Sequence, residues 1–219
     1  MYNITLICSK HREIGKCNSL ELYNIFKMIN PEIIFEEIHS SRFDDYYKDQ
    51  KIRNLETDAV RMYLKDKKIE QIPVDNYDIS KIHSFYRDYK YMNKIINNNI
   101  DIHHLLNKIS YMTEQYGFKF INSYECAELF EELNNLESNV IKRINDERLS
   151  RIYNLWNKIT DGRENAMLKN IYNYSKENKY AKAIFVIGTR HKNSIIKKIQ
   201  EYKEKEEIKL NWRFDNFIN

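Results

Sequence analysis

The chain has 219 residues, of which 42% are hydrophobic and 13% aromatic. It is therefore long enough to bury a sizeable core and too apolar for a disordered chain. Its 36 basic and 32 acidic residues nearly balance, for a net charge of +4, and they are spread along the chain rather than gathered in a tail. Such a charge does not require nucleic acid as a partner, and none is expected.

The cysteines indicate a reducing compartment. Cys8, Cys17 and Cys126 are odd in number and lack CxxC spacing, which fits reduced thiols better than a disulfide framework. The chain starts with no basic region, and its apolar stretch before Ser9 is too short for a secretory signal. No apolar run approaches the roughly 20 residues of a membrane span. We expect a soluble, cytoplasmic protein without a membrane partner.

Strand and helix patterns alternate along the chain. Residues 4–8, 33–38, 69–74 and 183–187 have the composition of buried strands, and residues 209–214 could form a closing edge strand. Between them lie three amphipathic helix patterns: one capped by Ser19 and ending at Asn30-Pro31, one over residues 55–64 and one over residues 194–202. The alternation predicts an α/β fold with a mostly parallel sheet of at least four strands flanked by helices.

Residues 79–160 contain no strand pattern and separate the third strand from the fourth. They predict a long helical insertion within a single α/β domain over residues 1–219. Two apolar stripes with helical spacing support this prediction. The first comprises Phe85, Tyr89, Met92 and Ile96, and the second comprises Leu129, Leu133, Leu136, Val140 and Ile144, continued through Ile152 and Trp156. The second stripe is long enough for a helical hairpin or a dimer contact.

Ionisable residues follow each of the four core strands. His11 comes after the first strand, Glu36 and Glu37 end the second, Asp75 follows the third, and His191 follows the fourth. Because the carboxyl ends of parallel strands meet at the ligand crevice, we expect these groups to share one site. They could bind a metal through imidazoles and a carboxylate, or work as a metal-free acid/base site in which carboxylates orient the histidines.

Individual positions leave alternatives open. Glu36 and Glu37 are adjacent on a strand, so their side chains face opposite sides and at most one can point straight into the crevice. Asp75 could simply form a turn. Arg163 follows Asp161-Gly162 at what the pattern suggests is a helix start. Its guanidinium could hold a substrate carboxylate or an oxyanion, or it could pair with Asp161 or Glu164.

Four motifs occur in order along the chain: Ser9-Lys-His11; Pro31-Glu-Ile-Ile-Phe-Glu-Glu37 with Arg42; Arg163-Glu-Asn-Ala-Met167; and Gly188-Thr-Arg-His191. Together they resemble the pattern of the superfamily that contains erythromycin esterases, haem-binding ChaN-type proteins, TraB/PrgY pheromone-shutdown proteins and Tiki proteases. The match covers roughly residues 1–75 and 160–200. Cys8 stands where that pattern has glycine.

The resemblance implies that His11, Glu37, Arg163 and His191 line one pocket. Counting from Pro31 places the superfamily's glutamate at Glu37, which favours Glu37 over Glu36 as the pocket residue. The arginine that follows this glutamate corresponds to Arg42, so Arg42 joins Arg163 as a predicted substrate-binding residue.

We therefore predict a hydrolase of an ester, amide or peptide bond in a small-molecule or peptide substrate. In a metal-dependent version, His11, Glu37 and His191 hold Mn, Zn, Co or Fe, Arg163 fixes a substrate anion, and Glu36 or Asp75 acts as the base for the bound water. In a metal-free version, His11 activates water and Glu37 orients it. The sequence does not choose between the two versions.

Two non-catalytic alternatives stay open. The chain could be a ligand-binding or regulatory protein of the ChaN/TraB type, with haem as a less favoured ligand because none of the 17 tyrosines stands out as an axial ligand. It could also be an interaction module that forms a homo-oligomer or binds a protein partner through residues 124–158. In that case, surface changes at Leu133 or Ile144 would matter more than His11→Ala.

Overall fold

The computed structural model of the protein describes residues 2–75 and 79–214, and within this part it describes the side chains of all residues except 79–84. Its centre is a five-stranded, all-parallel sheet with the strand order β3-β2-β4-β1-β5. The strands are β1 (Tyr2–Ser9), β2 (Ile33–Glu36), β3 (Glu70–Pro73), β4 (Lys182–Gly188) and β5 (Leu210–Arg213). The predicted α/β class is confirmed, and the closing segment is an edge strand that pairs with β1.

Helices flank the sheet and join its strands. They are α1 (Ser19–Ile29), α2 (Phe43–Tyr47), α3 (Leu55–Asp66), α4 (Ile79–Asn97), α5 (Ile100–Ile121), α6 (Tyr124–Ile144), α7 (Glu147–Glu177) and α8 (Lys192–Lys205). Short 3-10 turns at Ser40–Arg42 and Thr189–His191 follow β2 and β4. None of the helices in the described ranges combines the length and apolarity of a membrane-spanning segment.

Local side-chain chemistry sets the start and end of α1. Its N-cap is Asn18 rather than the predicted Ser19, because the Asn18 side chain accepts a hydrogen bond from the Glu21 amide at 3.0 Å. The helix ends as predicted at Asn30, which takes the left-handed conformation (φ 57°) that asparagine tolerates better than most residues.

The two faces of the sheet bury two separate apolar clusters. Ile7, Ile34 and Ile184 pack with α1, α3 and the insertion, whereas their strand neighbours Phe35 and Phe185 pack on the opposite face with α7 and α8. This alternation is the period-2 pattern of strands covered on both sides. The carboxyl end of α7 is thus a sheet-covering helix as well as part of the insertion.

The helical insertion between β3 and β4 is confirmed, and it is longer than predicted. Helix continues to Glu177 instead of stopping near residue 160, because α7 runs 31 residues without a break. Arg163 therefore lies inside a helix and not at a helix start. Gly162 does not interrupt the helix, since glycine weakens a helix interior by only about 1 kcal/mol.

The apolar stripes face inward. Phe85, Met92 and Ile96 are buried, and so is Leu133 in the second stripe, while Ile144 is 44% exposed. Two residues, Asn145 and Asp146, connect α6 to α7. Leu133 is therefore part of the core and is not available as a surface contact for a partner.

A buried asparagine ties the insertion to the sheet. The Asn122 side chain accepts a hydrogen bond from the Cys8 amide at 2.8 Å and donates one to the Cys8 carbonyl at 3.1 Å. The Lys192 ammonium, at the start of α8, donates to the Asn122 carbonyl and to the Ser123 carbonyl. These contacts hold the α5–α6 connection at the carboxyl ends of β1 and β4.

We expect Asn122→Ala to lower the free energy of unfolding by about 2–3 kcal/mol, because it leaves the Cys8 amide and carbonyl without these buried partners. Chemical denaturation measures this change. The control is Asn107→Ala on the exposed face of α5, for which we expect a change within about 0.5 kcal/mol. Equal stability of the two variants would refute the role of Asn122.

Candidate active site

The carboxyl ends of the central strands open into one large cavity. It has a volume of about 940 Å³ and lies between the edge of the sheet and the helical insertion. From the sheet side it is lined by His11, Glu37, Gly188 and His191, and Arg163 reaches it from α7. The structure thus brings together the four pocket residues that the resemblance implied.

Glu37 is at the centre of this edge, with a side chain that is only 8% exposed. Its Oε2 accepts a hydrogen bond from the Gly188 amide at 2.7 Å, and its Oε1 accepts one from Arg163 Nη2 at 2.6 Å. Burial alone would raise the pKa of Glu37, but nearby His191 and Arg163 and the Gly188 amide hold that pKa well below its usual value. Glu37 is therefore ionised at neutral pH.

His191 is buried between two carboxylates. Its Nδ1 lies 2.7 Å from Glu164 Oε1, and its Nε2 lies 3.4 Å from Glu37 Oε1. Burial opposes its charge, but Glu37 and Glu164 outweigh that effect and raise the pKa of His191 to about 9. His191 is therefore an imidazolium at neutral pH.

Glu164 fixes the position of His191 through a contact with its Nδ1. Besides the imidazole, it accepts hydrogen bonds from Ser194 Oγ at 2.5 Å and from Lys198 Nζ at 2.9 Å, and its side chain is 1% exposed. Burial opposes its ionisation, but these donors hold the pKa of Glu164 below its ordinary value. The orientation of His191 is thus fixed by a carboxylate that is itself fixed.

His11 lies in a more open environment than His191. Its side chain is 66% exposed, and its Nδ1 lies 3.5 Å from Oε1 of Glu56, the second residue of α3. The contact with Glu56 raises the pKa of His11, although partial desolvation opposes this. The Ser9 hydroxyl also donates a hydrogen bond to Glu56 Oε1.

Gly188 marks the point where these groups meet. A Cβ atom built on Gly188 would lie 3.3 Å from Glu37 Oε2, 3.7 Å from His191 Cδ2 and 3.9 Å from His11 Nε2. A side chain here would fill the space that all three groups border. Glycine at this position keeps that space open.

Arg163 pairs with different acids from those expected. Its Nε and Nη2 donate to Asp75 Oδ2 at 2.9 and 2.7 Å, and Nη2 also donates to Glu37, so Asp161 and Glu164 are not its partners. The Asp75 side chain, 9% exposed, is held in this ion pair and does not line the cavity. Arg163 is thus a bridge between two carboxylates rather than a free anion receptor.

Two further predicted site residues lie elsewhere. Glu36 does not line the large cavity; it accepts hydrogen bonds from the Tyr47 hydroxyl and from Gln71 Nε2, and burial raises the pKa of Glu36 to about 7. Arg42 is exposed, pairs with Asp45 at 3.6 Å and does not line the cavity. Glu36 borders a smaller pocket beside the cavity, which His11, Glu37 and Glu56 also line.

Sequence reasoning missed the two carboxylates that hold the histidines. In the sequence, Glu164 is a candidate partner of Arg163, and Glu56 looks like any acidic residue in the first turn of a helix. The helical spacing from Arg163 offered one clue. Consecutive helix positions diverge by about 100°, so Glu164 had to face a different neighbour from Arg163.

The donor set does not fit a divalent metal in the observed arrangement. No group of three His, Cys, Asp or Glu residues in ranges 2–75 and 79–214 lies close enough to hold a metal ion. Glu37, the central predicted ligand, already contacts the Arg163 guanidinium and the His191 imidazolium, and both of these cations would repel a metal ion beside Glu37. A metal ligand must also be a neutral imidazole, so a metal ion at His191 would have to displace the proton that Glu37 and Glu164 hold there.

Comparisons of the chain with protein-family models, with curated proteins and with solved structures find no match.

We expect the free energy of unfolding to fall as the pH rises from about 6.5 to about 9. The folded-state pKa of His191 is raised, so its contribution is complete below the ordinary value of 6.5 and disappears as the imidazolium deprotonates near 9. The loss should be on the order of 2–3 kcal/mol. Denaturation curves of the wild type and of His191→Gln at several pH values measure it.

The variant should lose this part of the pH dependence, while His103→Gln on the exposed face of α5 should keep it. Parallel stability profiles for the wild type and His191→Gln between pH 6.5 and 9 would contradict the raised pKa.

Proposed function

We propose that the protein is a metal-free hydrolase of an ester, amide or peptide bond, acting in the cavity at the carboxyl edge of the sheet. One observation supports it above all: two histidines, each with its Nδ1 facing its own carboxylate, border the same space beside Gly188. Carboxylates in this position select the tautomer and orientation of a catalytic imidazole.

The environments of the two histidines suggest different roles. His191 contacts two carboxylates and is buried, so it stays protonated and suits the role of general acid. His11 contacts one carboxylate at 3.5 Å and is largely exposed, so it releases its proton more readily and suits the role of general base. Pairs of groups whose surroundings separate their proton affinities are the usual basis for such an assignment.

In the proposed reaction, His11 Nε2 takes a proton from water as the water oxygen attacks the carbonyl carbon. The resulting oxyanion is stabilised by the positive charge of His191. When the bond to the leaving group breaks, His191 gives its proton to the leaving oxygen or nitrogen. His11 then releases the proton it took from water, and His191 is protonated again through solvent. The products are a carboxylic acid and an alcohol or amine, with Glu37 orienting the charged groups.

A ligand-binding protein without catalysis is the second candidate. The volume of the cavity, about 940 Å³, favours it independently, because this is room for a whole organic ligand. Haem stays a less favoured ligand of this kind. An interaction module acting through residues 124–158 has weaker support, since Leu133 is buried.

We expect His11→Ala to lower kcat/KM for hydrolysis of p-nitrophenyl esters or p-nitroanilides by about 100-fold or more, the usual range for loss of a general base. A panel of both substrate classes with different acyl groups, assayed by release of nitrophenol or nitroaniline, is the measurement. Substitution of exposed His103 by Ala is the matched control and should leave the rate unchanged.

If His11→Ala and the wild type hydrolyse every substrate at the same rate, the proposed hydrolase is wrong. The ligand-binding alternative would then be the better description of the cavity.

Elemental mass spectrometry of the untagged protein tests the metal-free version. We expect no near-stoichiometric Mn, Zn, Co or Fe after incubation with these ions, because Arg163 and protonated His191 already neutralise Glu37. The control is the His11→Ala/His191→Ala double variant. Stoichiometric metal in the wild type that is lost in the double variant would establish the metal-dependent version instead.

A further inference from the structure

The cavity extends far beyond the groups that the proposed chemistry uses. Its wall on the insertion side is aromatic and includes Tyr89, Phe130 and Trp156. The rings of Tyr89 and Trp156 pack with their centroids 4.2 Å apart, so this surface is already formed without a ligand. Preformed apolar walls of this kind bind the body of an organic molecule.

Two of the four Lys and Arg side chains on the cavity wall have no ion pair among the residues that the structure describes. Arg163 is neutralised by Glu37 and Asp75, and Arg190 is neutralised by Glu137 at 2.9 Å. Lys10 and Arg12, which flank His11, also line the cavity, but they have no ion pair with any residue in the described part of the chain. Lys10 is half-buried, so its ammonium is only partly solvated.

A half-buried cation without an ion pair loses hydration free energy, and a bound anion would compensate for this loss. Partial burial weakens the hydration of the ammonium, and the low local dielectric strengthens its attraction for an opposite charge. The other two arginines that line the cavity, Arg163 and Arg190, both bind protein carboxylates. Lys10 and Arg12 are the exceptions, and both face the cavity.

We propose that the cavity binds an organic anion, with its apolar body against Trp156, Tyr89 and Phe130 and its anionic group on Lys10 and Arg12. If the proposed hydrolase is correct, this molecule is its substrate, and the scissile bond lies between the anionic group and the apolar body, near His11. The substrate class is then an acidic amphipathic ester or amide. The inference that an organic anion binds depends only on the aromatic wall and on the unpaired Lys10 and Arg12.

Isothermal titration calorimetry with 4-phenylbutanoate and its neutral counterpart 4-phenylbutanamide tests the inference. We expect the wild type to bind the anion about 10-fold more tightly than the amide, the scale of one charge-assisted hydrogen bond. Tryptophan emission locates the probe, because Trp156 lines the cavity and Trp212, the other tryptophan, is buried on the opposite side of the sheet.

Lys10→Met is the decisive variant, since it keeps an unbranched side chain of nearly the same length and removes the ammonium. It should bring the affinities for the two probes to within about threefold, and Arg12→Gln should reduce the preference for the anion. The control is Lys169→Met on the exposed side of α7, which should bind like the wild type. Thermal melts establish that each variant is folded.

Equal binding of the two probes by the wild type, no binding of either, or an unchanged preference in folded Lys10→Met would overturn the inference. The last result would mean that a carboxylate binds among the catalytic groups as a product does. Selective binding that depends on Lys10, without hydrolysis of any ester or anilide, would support the binding site and reject the proposed hydrolase. Hydrolysis without a preference for the anion would support the proposed hydrolase and reject the anion-binding site.

Discussion

The buried carboxylate of Glu37 is the constraint on which the rest of the site depends. It lies one residue beyond β2, and it contacts β4 through the Gly188 amide, α7 through Arg163 and the segment after β4 through His191. A buried charge of this kind is tolerated only when it is paired and hydrogen-bonded. Arg163 and His191 neutralise the buried charge of Glu37, and Asp75 in turn shares the charge of Arg163.

The helical insertion supplies the partners of Glu37 and His191 that the sheet does not. Arg163 and Glu164 lie side by side on α7 but face different partners, one toward Glu37 and Asp75 and the other toward His191. A single helix thus supplies both the cation that neutralises the central carboxylate and the carboxylate that fixes the histidine. The Asn122 contacts with Cys8 serve the same end, because they hold the insertion at the edge where β1 delivers His11.

Much of this fold could be predicted from the sequence, because strand and helix periodicities are local. The strands, the flanking helices and the insertion follow from them, as does the meeting of His11, Glu37 and His191 at one sheet edge. The ion-pair partners of the charged residues could not be predicted from the sequence. Arg163 has acids near it in the chain, but it pairs with Asp75 and Glu37 at sequence distances of 88 and 126. Only the packed position of α7 decides between near and distant acids, and the same holds for Glu56 and His11.

The charge pattern also bears on which chemistry the site suits. Two carboxylates keep His191 protonated, and the same protonation that makes it a poor metal ligand makes it a ready proton donor. His11 contacts one carboxylate, which raises its pKa, and its side chain is largely exposed to solvent. In the proposed hydrolase, an acid that stays protonated beside a more exposed base needs no further group to transfer a proton to the leaving group. What such a site needs is a substrate held in place, and the aromatic wall of the insertion with its unpaired cations is suited to that task.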